Sequence, residues 1–145
     1  MKVVLQRVKK ASVTVDEKIV GKIDNGLLIL VGFTEGDGEH QIDWMINKIT
    51  NLRIFDDDNG VMNLSVKDVK GSILSVSHFT LYADSRKGNR PSYINALGGE
   101  SAIKLYEAFN EKLRDTGISI EEGIFGADME VSLVNDGPVT IILEK

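Results

Sequence analysis

The stretch Met129-Glu130-Val131-Ser132-Leu133-Val134-Asn135-Asp136-Gly137-Pro138-Val139-Thr140-Ile141-Ile142-Leu143 carries the pattern on which the fold reading turns. Met129, Val131 and Leu133 recur at period two before a Gly-Pro pair, and Val139, Ile141 and Leu143 do so after it. Period two is the mark of a half-buried strand. The stretch therefore reads as a hydrophobic β-hairpin, with strands over 129–135 and 138–144. Proline has no amide N–H and fits a strand only at an edge, a start or a bulge. Glycine reaches backbone angles closed to other residues. A Gly-Pro pair beside a strand either makes a plain turn or leaves carbonyls pointing away from the ladder, free to accept hydrogen bonds from another molecule.

Working outward, residues 118–124 read as a third C-terminal strand. At the other end, Ala11, Val13 and Val15 alternate with Ser12, Thr14 and Asp16, again a half-buried strand. Residues 3–8 and 18–24 read as flanking strands and 27–33 as a more fully buried one, with Asn25-Gly26 as a hairpin turn between the last two. The period then changes. Ile42, Met45, Ile46, Ile49 and Leu52 share one face of a helix over 39–53, with Asp37 as its N-cap. Residues 72–79 read as another strand, followed by a polar loop over 83–98. Ala102, Leu105, Tyr106, Phe109 and Leu113 form a second amphipathic helix, stopped by Gly117 at C′. Strands dominate and two helices are inserted between them. The expected fold is one α+β domain over 1–145, with a mostly antiparallel, strongly curved or barrel-like sheet.

At 145 residues the chain is long enough for a substantial core. It has no cysteine, hence no disulfide framework, cysteine nucleophile or thiolate metal site. Met1-Lys2-Val3-Val4-Leu5-Gln6-Arg7 lacks the apolar run of a signal peptide. The longest apolar stretch, Leu27 to Phe33, is broken by Gly32 and is too short to span a bilayer. A cytoplasmic protein with no membrane partner is the expectation. The formal charge of −5 argues against a bulk nucleic-acid binder. A local contact is still open: Ser85-Arg86-Lys87-Gly88-Asn89-Arg90 places three cations in six residues. That run reads either as a solvated loop or as a phosphate contact.

Few residues carry obvious chemistry. Of the two histidines, His40 opens the first helix and reads as a surface or capping residue. His78 adjoins Ser77, but neighbours on a strand face opposite sides, so the two do not make a serine–histidine dyad. Asp56-Asp57-Asp58-Asn59-Gly60 fails as a calcium loop: an EF-hand needs glycine at the sixth position and glutamate at the twelfth, whereas Gly60 is fifth and Lys67 is twelfth. It reads as a turn. No histidine pair has metal spacing, and Gly36-Asp37-Gly38 lacks the Lys-Ser/Thr of a P-loop. No metal or cofactor is expected.

Two segments taken together resemble a known family. Ser77-His78-Phe79-Thr80-Leu81 followed by Asn135-Asp136-Gly137-Pro138-Val139-Thr140 is similar to the paired signature motifs of the D-aminoacyl-tRNA deacylases. The likeness continues in order through Leu5-Gln6-Arg7-Val8 with Ala11-Ser12-Val13-Thr14-Val15, Arg53-Ile54-Phe55 with Met62-Asn63-Leu64, Arg90-Pro91-Ser92, and Phe125-Gly126-Ala127-Asp128-Met129. It covers nearly the whole chain.

The resemblance implies an enzyme that hydrolyses the ester joining a D-amino acid to the terminal adenosine of tRNA, and that also acts on glycyl-tRNA. It implies a homodimer in which a cis Gly137-Pro138 pair enters the partner's active site and meets the amino acid's ammonium group with backbone carbonyls. An L side chain would collide with the same backbone. Ser77, His78, Phe79 and Thr80 are the implied catalytic segment. Gly137, Pro138, Phe125, Met129 and Arg7 are the implied substrate contacts, and Arg86, Lys87 and Arg90 the expected tRNA contacts. One departure stands out: the family usually has glutamine where this chain has His78. Histidine can still donate and accept a hydrogen bond, and it titrates near neutrality. For the chemical step, Thr80 as nucleophile competes with water attack assisted by the tRNA 2′-hydroxyl; the chain offers Thr80 no evident base, which favours the second. Two other readings of the whole remain: a non-catalytic dimeric scaffold that binds RNA ends, and an esterase of small D-aminoacyl substrates.

Overall fold

The computed structural model describes residues 1–145. Its spine is a long first strand, β1 (Lys2–Val15). The other strands are β2 (Lys18–Ile23), β3 (Gly26–Gly32), β4 (Phe55–Asp56), β5 (Met62–Leu64), β6 (Ser72–Ser77), β7 (Ile120–Glu122) and β8 (Glu130–Glu144). The helices are α1 (Glu39–Asn51) and α2 (Gly99–Arg114), and a short 3-10 turn spans Phe79–Tyr82. The main sheet runs β2-β1-β3-β6-β7, with β8 also paired to β1, while β4 and β5 form a separate ribbon. Pairings of β1 with β2, β3 and β8 are antiparallel; β3–β6 and β6–β7 are parallel. The α+β expectation holds, with a mixed, barrel-like sheet.

Two hairpin expectations fail, for one reason. The chain 129–143 is not a hairpin: β8 is one continuous strand laid along β1, from Glu144 opposite Lys2 to Glu130 opposite Thr14. Its Gly-Pro pair is a bulge and not a reversal. Nor do β2 and β3 pair with each other. Both lie along β1, which meets β3 through its first half and β2 through its second. Asn25-Gly26 is therefore a corner between two strands on one edge. The hairpin turn is at Asp16-Glu17, which take φ of 47° and 63° to join β1 to β2. Gly26 instead permits a close approach of two backbones, since a Cβ there would stand 1.9 Å from the Ser72 carbonyl oxygen.

Burial explains the long apolar runs. Val3, Leu5, Leu27, Ile29, Val31 and Ile73 join Ile42, Met45, Ile49, Phe109 and Leu113 of the helices in the larger core. Val8, Ala11, Val13, Leu28, Leu74 and Val76 form a second core on the opposite face. Strands β3 and β6 are covered on both sides, as parallel strands usually are. Even-numbered Val8 and odd-numbered Ala11 share one core because the pairing slips between Val8 and Lys10. One extra residue in a strand reverses the facing of all that follow.

The helices start and stop close to expectation, with two corrections. Gly38, not Asp37, is the N-cap of α1, and the Gln41 side chain accepts its N–H at 3.0 Å. Asp37 instead accepts from the Met1 amino group at 2.6 Å and from the Thr34 N–H at 2.8 Å. Asp115 caps α2, so Gly117, at φ 83°, lies one position beyond C′. The acidic run near Asp57 is the turn between β4 and β5, where the Asp57 carboxylate accepts the Asn59 and Val61 amides and is held below the usual carboxylate range by them.

Candidate functional site

Parallel strands place ligands beyond their C-terminal ends, and here β3 and β6 end side by side. The His78 N–H donates to the Val31 carbonyl at 2.8 Å, after which the chain leaves the sheet and tightens into the Phe79–Tyr82 turn. Gly32 permits this, because a Cβ would sit 3.1 Å from the His78 carbonyl oxygen and 3.2 Å from Leu81 Cβ. A cleft of about 350 Å³ opens at this point. Ser77, His78, Phe79 and Thr80 line one side, and Phe125 to Met129 the other. Phe33 and Leu97 also contribute to the wall. Phe125 packs against the larger core and Met129 against the smaller, so the cleft lies where the two cores meet. The Phe125 ring leans on Tyr106, with centroids 5.8 Å apart, and the Tyr106 hydroxyl donates to the Ser75 carbonyl at 2.9 Å.

The turn leaves donors open. Its first internal bond runs from the Leu81 N–H to the His78 carbonyl. The amides of Phe79 and Thr80 come before it and make no bond within the turn, the usual state of the first amides in a helical turn. Both residues line the cleft. Backbone N–H groups at such a place are the kind of donor that stabilises developing negative charge on an ester oxygen. Burial alone moves His78, pushing its pKa below 6.5. Burial thus favours the neutral imidazole, and no carboxylate raises it toward use as a strong base. No group of three or more His, Cys, Asp or Glu side chains forms a metal cage.

The second motif lies elsewhere. Gln6 faces Thr140 and Val8 faces Asn135, so Asp136, Gly137, Pro138 and Val139 all stand opposite Arg7. The side chains of the motif close the neck of this bulge. Asn135 Oδ1 accepts the Val139 N–H at 2.9 Å, and Asn135 Nδ2 donates to the Thr140 hydroxyl at 3.0 Å. Gly137, at φ 132°, could not carry a side chain: a Cβ would meet Val139 Cγ2 at 2.8 Å and an Arg7 guanidinium nitrogen at 3.1 Å. The Gly137-Pro138 peptide is cis, and both residues are exposed.

Arg7 holds the bulge from beneath. It is 7% exposed. Its Nε donates to the Asp136 carbonyl at 2.9 Å, and a terminal nitrogen donates to the Ile54 carbonyl at 2.7 Å. Carboxylates of Asp56 and Asp136 stand 3.4 and 3.6 Å away and balance the charge. A planar fork suits two carbonyls at fixed angles in a way a lysine does not.

Of the residues singled out from the sequence, the first motif, Phe125 and Met129 therefore share one cleft. Arg7, Gly137 and Pro138 form a second cluster that does not line it. The cations are divided. Arg86 is committed to Asp84 through contacts of 2.9 and 2.5 Å, and these hold the Asp84 carboxyl at about 2. Lys87 and Arg90 are exposed and make no ion pair within the chain. Sequence reasoning overlooked Gly32, Phe33 and Leu97 as parts of the site. Gly32 was visible as the single break in an apolar run.

Comparison with known proteins gives the arrangement a family context. The family described as D-Tyr-tRNA(Tyr) deacylase matches residues 4–144. The chain is 57% identical over 145 residues to a D-aminoacyl-tRNA deacylase of an Exiguobacterium species, covering 100% of this chain and 99% of the relative. It is 60% identical over 146 residues to that of Flavobacterium psychrophilum, covering 100% and 97%. Among solved structures, one named c-Myc DNA Unwinding Element Binding Protein superposes with a TM-score of 0.94 at 43% identity, covering 100% of this chain and 99% of that one. A probable eukaryotic D-amino acid tRNA deacylase shares the fold, with a TM-score of 0.82 at 16% identity over 98% and 97% of the two chains.

Proposed function

The chain belongs to the D-aminoacyl-tRNA deacylase family and hydrolyses the ester of D-aminoacyl-tRNA, and we propose that it does so at a site assembled from two copies of the chain. One observation carries the proposal: the Gly137-Pro138 tip is exposed and does not line the chain's own cleft. A second copy related by a two-fold axis would receive the tip in its cleft and return its own.

In that assembly the cleft of one subunit holds the ester. Water attacks the acyl carbon, and the oxygen that gains charge lies against the Phe79 and Thr80 amides. The carbon–oxygen bond to the ribose breaks, the ribose hydroxyl recovers a proton, and free D-amino acid and tRNA leave. The tRNA's own 2′-hydroxyl assists the proton transfers, since His78 is shifted by burial alone and has no partner to activate it. Backbone carbonyls of the partner's tip accept from the substrate's ammonium group, a charge-assisted contact. The same backbone leaves no space for an L side chain, whatever its identity. Glycyl-tRNA, with no side chain to exclude, is accepted. Arg7 positions the tip, Phe125 and Met129 wall the acyl group, and Lys87 and Arg90 meet tRNA phosphates. A soluble aminoacyl-tRNA substrate is consistent with work in the cytoplasm.

The test is deacylation of D- and L-aminoacyl-tRNA side by side, with a small D-amino acid ester as control. Turnover of the D form alone is expected. Equal rates on D and L would remove the chirality filter. Turnover of the small ester only would favour an esterase of small substrates, and no turnover at all a scaffold that binds RNA ends.

A further inference from the structure

Beside the cleft lies an aromatic surface that the hydrolysis itself does not use. Phe79 lines the cleft yet is 55% exposed, and Tyr93, at 43%, packs edge to face against it, with ring centroids 5.2 Å apart and planes at 67°. Ile94 next to it is 86% exposed. Such groups are costly to leave in water, and Tyr93 plays no part in either core.

The loop that carries Tyr93 is fixed at both ends. Asp84 and Ser92 exchange backbone hydrogen bonds of 2.8 and 2.9 Å, which closes the cationic segment immediately before Tyr93. On the far side, the Leu97 N–H donates to the Phe33 carbonyl at 2.9 Å, and the Thr34 hydroxyl to the Asn95 carbonyl at 2.6 Å. Tyr93 is thus held on a braced segment, packed on a ring of the cleft and following directly in sequence the loop that carries the unpaired cations Lys87 and Arg90.

We propose that Tyr93, supported by Phe79, is a stacking platform for the nucleobase that precedes the terminal adenosine of the tRNA. The inference rests on the deacylase reading above. A single RNA strand whose last nucleoside carries the ester in the cleft must leave by the cleft mouth. Its next base then meets an aromatic face, and its phosphates pass toward Lys87 and Arg90. Single-stranded nucleic acids are commonly bound by this pairing of stacked aromatic rings and a basic track.

The experiment compares Tyr93→Ala and Tyr93→Phe with the unaltered chain on two substrates, D-aminoacyl-tRNA and D-aminoacyl-adenosine, which ends at the cleft. Tyr93→Ala should raise KM for the tRNA about tenfold with kcat little changed, the size expected when one base–aromatic stack is removed. Tyr93→Phe should behave as the unaltered chain, and all three should hydrolyse D-aminoacyl-adenosine alike. An unchanged KM for the tRNA in Tyr93→Ala would overturn the platform. So would an equal loss on both substrates, which would place the ring's effect inside the cleft. If the unaltered chain hydrolyses neither substrate, the deacylase reading itself fails.

Discussion

The Phe79–Tyr82 turn and the Asp136–Val139 bulge are both backbone devices, built in opposite ways. The turn faces inward. It begins where two buried parallel strands end, and its first two residues line a cleft with amides that make no bond within the turn. The bulge faces outward. Its neck is closed by Asn135, Thr140 and Arg7, while its Gly-Pro tip is exposed. The difference teaches how the labour is divided. On the proposed reading, the turn supplies donors to the substrate. The bulge supplies a shaped edge whose side chains lock its base, so the tip can act through its main chain alone.

If rigidity of the bulge is what matters, the largest effect belongs to Arg7. Arg7→Ala leaves two carbonyls without their charged donor and should lower kcat/KM on D-aminoacyl-tRNA by about tenfold to hundredfold. Arg7→Lys should fall between, because one ammonium cannot reproduce the fork. Single-turnover deacylation with D and L substrates reads both the rate and the discrimination. An unaltered D-to-L ratio in Arg7→Ala would break the comparison at its base.

The cations should produce the next effect. Replacing Lys87 and Arg90 together with alanine should make the dependence of log binding constant on log salt shallower by roughly 1.4, about 0.7 for each single-strand phosphate no longer neutralised. Arg86→Ala should change the slope less, since Asp84 already holds that charge. Salt titration of tRNA binding separates them, and equal slopes for all variants would make the loop plain solvated surface.

A smaller effect concerns the turn. Burial holds the His78 pKa in the folded chain below its ordinary value of 6.5. As pH falls below 6.5 the unfolded chain takes up the proton first, so acid should erode stability from that point down. Activity should fall in the same acid range, where a cation forms inside the cleft. His78→Gln should remove that limb and leave rates at pH 7 and above near those of the unaltered chain. A pH–rate profile that is identical in both would show that the histidine is inert. The smallest effect should be that of Thr80→Ala, which keeps the amide and loses only the hydroxyl. It should retain substantial turnover, and near-complete loss with fold and tRNA binding intact would restore Thr80 as nucleophile.

Much of this was legible in the chain itself, and what was not has a physical reason. Period two marked the strands and period 3.6 the helices, because each reports a face turned to a core. Partners were not legible. Asn25-Gly26 has hairpin chemistry but only turns a corner, while Asp16-Glu17, with no glycine, makes the hairpin. The Gly137-Pro138 segment is locally indistinguishable from a turn. What makes it a bulge is Arg7, 129 positions before Asp136, on the strand that β8 follows. Ser77 to Thr80 stood out through family resemblance and not through their spacing. Tyr93 carried no signal until its ring was seen against Phe79.

The central claim, that the turn and the bulge meet across two subunits, is tested most directly by mixing two disabled chains. Ala127→Trp fills the cleft and leaves the bulge intact; Gly137→Val wrecks the bulge, where not even a Cβ fits, and leaves the cleft intact. Each alone should be nearly inactive on D-aminoacyl-tRNA. Unfolded together and refolded at equal amounts, they should regain about a quarter of the unaltered activity, since half of the two-fold pairs would be mixed and each mixed pair holds one sound site. No recovery above either parent, with mixed dimers present by mass, would contradict the account and return the whole site to a single chain.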